Sequence, residues 1–178
     1  MRPARRKCKQ VMETAYIALG SNLLQPQRQL QAGFAALARL PDTQLIAHSS
    51  LYRSAPVGYA DQPDFVNAVA AIRTSLSPRA LLDALLNIER EQGRMREFPN
   101  APRTLDLDIA LYGERVVHEP GLSIPHPRMH ERAFVMAPLA EIAPDAVVPG
   151  RGRLPVCVSE LLAGVDLQSV VKLQAVAA

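Results

Sequence analysis

Apolar residues recur at helical spacing in two stretches of the chain and alternate at strand spacing in several others. Leu30, Phe34, Leu37 and Ala38 share one face of a helix predicted from about Pro26 to Leu40. Pro26 suits a first helical position, and Pro41 ends the run. The stronger helix follows Ser77, which is placed to cap it. Pro78 fits the first turn, and Leu81, Leu82, Leu85, Leu86 and Ile88 form an apolar stripe. Gly93 stands where a left-handed terminating residue is expected. Strand character marks Thr14–Leu19, Gln44–Ser54, Asp64–Thr74 and Leu105–Tyr112.

Breaker-rich stretches separate these elements. Ala55 to Pro63 and Arg94 to Arg103 read as loops. Ser123 to Pro144 reads as a loop followed by a helix broken near Pro138, and short elements are expected near Ser159–Leu162 and Val170–Leu173. The order β-α-β-β-α-β predicts an α+β fold of the ferredoxin-like kind. That fold is an antiparallel sheet with helices packed on one face, here with extra C-terminal helices. No repeat or linker divides the chain, so one domain is expected over residues 13–178.

Charge changes the picture at one end. The formal net charge is +3, but Arg2, Arg5, Arg6, Lys7 and Lys9 all lie in the first nine residues. The remainder is slightly acidic, which argues against a nucleic-acid-binding face. Residues 1–12 are expected to be a basic, dispensable extension, with Met12 resembling a natural start. Cys8 and Cys157 lie far apart and no CxxC occurs, which fits a reduced, cytoplasmic protein without structural zinc. No apolar run is long enough to span a membrane.

The stretch RTLDLDIALYG, Arg103 to Gly113, carries the candidate chemistry. Aspartate is depleted in strands, yet Asp106 and Asp108 sit two residues apart in one. Strict alternation places Leu105, Leu107, Ile109 and Leu111 on one face, and Asp106, Asp108, Ala110 and Tyr112 on the other. Two carboxylates roughly 6–7 Å apart along a rigid strand suit Mg²⁺, which takes hard oxygen ligands together with substrate phosphates. Arg94, Arg96 and Arg103 lie just upstream. They are either phosphate clamps beside a metal site or plain salt-bridge partners of the two aspartates. No GxxxxGK[ST] loop or protein-kinase signature is present.

Five segments in order resemble the 6-hydroxymethyl-7,8-dihydropterin pyrophosphokinase family of folate biosynthesis. They are AYIALGSNL (15–23), SSLYRSAPVG (49–58), DQPDFVNAV (61–69), PRTLDLDIALYG (102–113) and IPHPRMHERAFVMAPLAEIAP (124–144). The resemblance implies transfer of diphosphate from ATP to the pterin hydroxymethyl group, giving AMP and the pterin diphosphate. It implies two Mg²⁺ ions held by Asp106 and Asp108, with ATP as co-substrate. Arg94, Arg96 and Arg103 would grip phosphate. Ser54, Ala55, Val57, Phe65, Asn67, Arg132 and Phe134 would form the pterin pocket, its ring stacked between the two phenylalanines. His126 would reach phosphate, and Ile109, Leu122 and Ser123 would hold adenine. A monomer acting on small molecules, with neither nucleic acid nor membrane as partner, is expected.

This chain departs from the family pattern at several points. Phe65 replaces a tyrosine, Gly121 an arginine and Pro127 a tyrosine. The loop before Arg103 is one residue shorter and lacks a tryptophan, leaving Phe98 as a substitute. The competing expectations are a non-catalytic ferredoxin-like binding module and an RNA-binding sheet. The latter needs exposed aromatics where this strand has aspartates.

Overall fold

The computed structural model describes residues 11–93, 101–150 and 156–174. The first ten residues, together with Arg94, Arg96 and Phe98, lie outside the described residues. The elements run β1 (Glu13–Ser21), α1 (Pro26–Ala38), β2 (Thr43–His48), β3 (Tyr52–Ser54), β4 (Phe65–Thr74), α2 (Pro78–Glu91) and β5 (Asp106–Tyr112). There follow β6 (Val117–Glu119), β7 (Leu122–Ile124), α3 (Ala133–Ile142), β8 (Val147–Val148), β9 (Val156–Cys157), α4 (Val158–Leu162) and β10 (Val170–Lys172).

One antiparallel sheet organises the fold, with β5, β1, β4, β3 and β10 side by side in that order and β2 paired to β4 next to β3. Gln44 to Ser54, expected as one strand, is therefore two strands on the same neighbour. Ser49 occupies the break. Its N–H donates to the Val69 carbonyl at 2.9 Å, and its Oγ accepts from the Val69 N–H at 3.0 Å. A side chain thus replaces one rung of the ladder, and the chain can turn without orphaning β4.

Helices cover both faces of the sheet, not the single face expected. Leu30, Phe34 and Leu37 of α1 and Leu81, Leu85 and Ile88 of α2 pack against Ile17, Leu19, Ile72 and Leu107. On the opposite face, Val135, Met136 and Leu139 of α3 pack against Val69, Ala110 and Leu111. The expected cap is present: Ser77 Oγ accepts from the Ala80 N–H at 3.2 Å. Gly93 ends α2 with φ 77°, a conformation that penalises side chains with a Cβ. Pro138, expected to break its helix, lies inside α3. A proline there loses its own N–H bond and crowds the carbonyl four residues back, but the buried Val135, Met136 and Leu139 hold the helix across it.

The alternation read for β5 fails after Ile109. Ile17 of β1 pairs with Ile109 and Tyr16 pairs with Leu111, which leaves Ala110 as an extra residue. This β-bulge shifts the pleat by one position. Leu111 therefore joins the α3 side, and Tyr112 joins the leucine side, where its hydroxyl donates to the Leu76 carbonyl. The β6–β7 hairpin lies in a region partly read as loop. Its turn is Pro120–Gly121, with the glycine at φ 74°, the conformation a proline–glycine turn requires. Glu141 of α3 ties the far end of the sheet together. It accepts from Tyr52 Oη and Ser50 Oγ, both at 2.7 Å, and pairs with Lys172 of β10 at 3.4 Å.

Candidate active site

Beyond the N-terminal end of α3 the sheet face is left open, and a cavity of about 320 Å³ lies over it. Its floor follows from the register. Asp106 pairs across to Gly20, Gly20 to Asn67, and Asn67 to Tyr52, so one row crosses four strands. In the next row Asp108 faces Ala18. Residues directly opposite in a sheet share a face. The two aspartates therefore look across the smallest side chains available, which leaves room above them. A Cβ built on Gly20 would come within 3.3 Å of Asn67 Oδ1.

Charge gathers at the β5 end of this cavity. Asp106, Asp108, Arg103, Arg128 and Arg132 all line it. Arg103 donates from a guanidinium nitrogen to Asp106 Oδ2. Burial lowers the pKa of Arg132 from its ordinary value, while Asp108 and Asp106 act in the opposite sense. His126 is also in the wall. Its backbone N–H donates to the carbonyl of the bulge residue Ala110 at 3.0 Å. Its Nδ1 accepts from the Arg128 N–H at 3.2 Å. Burial, reinforced by the Arg132 charge, pulls the His126 pKa down to about 4. The ring is therefore neutral near pH 7, with its proton on Nε2, where it acts as a hydrogen-bond donor.

The other end is flat and apolar with one amide. Phe65 and Phe134 line the cavity together with Ser54, Ala55, Val57 and Asn67. Asn67 is 4% exposed, and its Nδ2 donates to Ser54 Oγ at 2.9 Å. This orients Oδ1 over Gly20. The Arg132 guanidinium lies 5.6 Å from the Phe134 ring centroid, which joins the aromatic end to the charged end.

All the residues expected to form the pterin pocket meet in this cavity, along with Arg103, Asp106, Asp108 and His126. Ile109 and Leu122 do not. Both lie in the leucine core on the far side of the sheet, and Ser123 pairs with His118 in the β6–β7 hairpin. Arg94 and Arg96 fall outside the described residues. As for a metal, no three His, Cys, Asp or Glu side chains converge among the described residues. Two carboxylates sharing a strand face fit a hard cation that takes its remaining ligands from phosphate and water.

Three participants went unread in the sequence. Arg128 was passed over as part of a loop. Glu89 is 2% exposed, and its Oε1 accepts from the Leu107 N–H at 2.7 Å, so it supports β5 between the two aspartates. Its signal was there: it stands four residues after Leu85 and eight after Leu81, on the buried side of the helix. Asn22 stands out in the sequence only as part of the segment AYIALGSNL.

An antiparallel α+β sheet with carboxylates, arginines and an aromatic pocket on one open face defines a ferredoxin-like enzyme of small molecules. The chain belongs to the 7,8-dihydro-6-hydroxymethylpterin-pyrophosphokinase family, whose model matches residues 16–144. It is 51% identical over 163 residues to the 2-amino-4-hydroxy-6-hydroxymethyldihydropteridine pyrophosphokinase of Pseudomonas aeruginosa, covering 92% of this chain and 98% of that one. It is 56% identical over 138 residues to the protein of the same name from Haemophilus influenzae, covering 78% and 86%. Among solved structures, Plasmodium falciparum HPPK-DHPS, wild type with pteroate, is similar with a TM-score of 0.66 at 13% identity. The match covers 86% of this chain and 44% of that one, and it shows the fold alone.

Proposed function

We propose that the cavity over β1, β4 and β5 is where diphosphate passes from ATP to 6-hydroxymethyl-7,8-dihydropterin. Family membership makes the chain an ATP-dependent pyrophosphokinase of folate biosynthesis. A non-catalytic binding module is not favoured. The observation supporting this location is that one cavity joins an aromatic and amide end to an end holding two carboxylates, three arginines and a neutral histidine.

The pterin lies between Phe65 and Phe134, with the Asn67 amide at its polar edge. Its hydroxymethyl oxygen then points toward the β5 end. That oxygen gives up its proton to water and bonds to the β-phosphorus of ATP, the bond from this phosphorus to the α-phosphate oxygen breaks, and AMP leaves. Arg103 and Arg132 hold the transferred phosphates, with Arg94 and Arg96 joining from the preceding loop. His126 donates from Nε2 to a phosphate oxygen without adding a charge. Two Mg²⁺ ions on Asp106 and Asp108 would neutralise phosphate charge and acidify the attacking hydroxyl.

Adenine is proposed to sit outside the cavity, beside the β6–β7 hairpin, against Ser123 and the edges of Ile109 and Leu122. A monomer in the cytoplasm completes the reading, supported by the sparse use of cysteine. No described helix is long and apolar enough to cross a membrane. Size-exclusion chromatography with light scattering checks the oligomeric state. The function is tested by incubating the protein with Mg-ATP and the reduced hydroxymethylpterin and resolving the nucleotides. Stoichiometric AMP is expected; ADP with a pterin monophosphate would overturn diphosphoryl transfer.

A further inference from the structure

Asn22 follows the last residue of β1 and is 3% exposed, yet it belongs neither to the leucine core nor to the cavity lining. Its polar groups reach two segments distant in sequence. On one side, Oδ1 accepts from the Arg103 N–H at 2.9 Å, and the Asn22 N–H donates to the Arg103 carbonyl at 3.1 Å. These two bonds fix the backbone of the arginine that pairs with Asp106. On the other side, Nδ2 donates to Gln62 Oε1 at 2.8 Å and to the Pro63 carbonyl at 3.0 Å. Gln62 passes the connection on, donating from Nε2 to the Tyr59 carbonyl at 2.7 Å. The loop held in this way carries Ala55, Val57 and Gly58, which line the aromatic end of the cavity.

We propose that Asn22 is a positioning residue, whose single amide locks the pterin-side loop and the Arg103 backbone to each other across the cavity. An amide suits this place because it donates and accepts from one rigid plane. Aspartate would keep the bond to the Arg103 N–H but would turn an acceptor toward two acceptors. Alanine would lose both arms. The Arg103 backbone would then keep only the bond from the residue 22 N–H to its carbonyl, and an arginine displaced by about an ångström loses much of its effect on a transferring phosphate.

The inference rests on the proposed roles of Arg103 and of the loop, and a double-mutant cycle separates it from them. kcat and the KM for the pterin are measured for Asn22→Ala, Arg103→Ala and the double variant, with Gln62→Ala beside them. Asn22→Ala is expected to lower kcat about tenfold in the native background and less than about threefold once Arg103 is gone. Gln62→Ala removes one of the two loop contacts of the Asn22 amide, together with the tie to Tyr59, and is expected to raise the pterin KM several-fold with kcat nearly unchanged. Equal kcat losses from Asn22→Ala in both backgrounds would overturn the tie to Arg103. So would a lowered melting temperature with native kinetics. If Asn22→Ala fails to fold, Gln62→Ala decides: an unchanged pterin KM overturns the lock, and a raised one supports it. If Arg103→Ala alone leaves kcat untouched, the assigned role of Arg103 falls. The lock is then judged on the pterin KM of Asn22→Ala and Gln62→Ala: a rise in both supports it, and an unchanged value in either overturns it.

Discussion

The two faces of one sheet divide the work of this protein. On the α1–α2 side, β1, β4 and β5 present Ile17, Leu19, Ala68, Ile72, Leu107 and Ile109, all buried. On the other side the same strands present Ala18, Gly20, Asn67, Asp106 and Asp108, and α3 covers only part of them. Neighbours in sequence therefore belong to different trades: Leu107 holds the fold and Asp108 lines the cavity. Since the pleat alternates every residue, stability and chemistry sit on the same strands with little overlap. Substitutions one position apart should separate them.

The widest separation is expected at β5. Asp108→Ala should reduce turnover at least about a thousandfold, near 4 kcal/mol of transition-state stabilisation, while thermal unfolding stays close to native. Leu107→Ala should do the reverse. It costs about 3 kcal/mol of stability in denaturant titration, yet the surviving folded enzyme keeps most of its kcat. If Asp108→Ala melted the protein, or Leu107→Ala abolished turnover in folded material, the division of faces would fail. Gly20→Ala tests the boundary. Its Cβ would press on Asn67 Oδ1, so the pterin KM is expected to rise about tenfold with little loss of stability.

Smaller effects sharpen the comparison. The low His126 pKa means that folding excludes a proton from a ring that takes one up readily when unfolded. Between about pH 6.5 and 4 the unfolded state binds more protons, so His126 contributes a loss of stability as pH falls through that window. His126→Asn should flatten this part of a stability–pH profile measured by chemical denaturation. The smallest effect expected is none. Deleting Met1 to Val11 should leave kcat/KM within about threefold of native, because the motifs begin at Ala15. A tenfold loss would give the basic segment a part in the site.

Much of this was legible in the chain. The α2 helix announced itself through its cap, its proline and its stripe. Asp106 and Asp108 stood out because a strand rarely tolerates them without a reason. The pterin-side residues came from resemblance, since Asn67 and Phe65 in isolation look like ordinary strand residues. What escaped notice depends on tertiary partners. Helix α3 covers the second face although nothing local says which side of the sheet it will choose. Ser49 splits a strand by offering its own side chain to β4. Asn22 gives no local sign of its role because its partners lie 40 and 81 positions away.

The bulge at Ala110 has a consequence of another kind. The place of His126 is set by the backbone carbonyl of Ala110, the one residue by which the edge strand β5 is longer than its partner there. That information is stored in the length of the chain and not in the identity of any side chain. Replacing Ala110 with another small residue should leave the histidine where it is. Removing Ala110 would withdraw that acceptor yet leave Leu111 and Tyr112 on the faces they occupy, since Ile109, Leu111 and Tyr112 then alternate without a bulge.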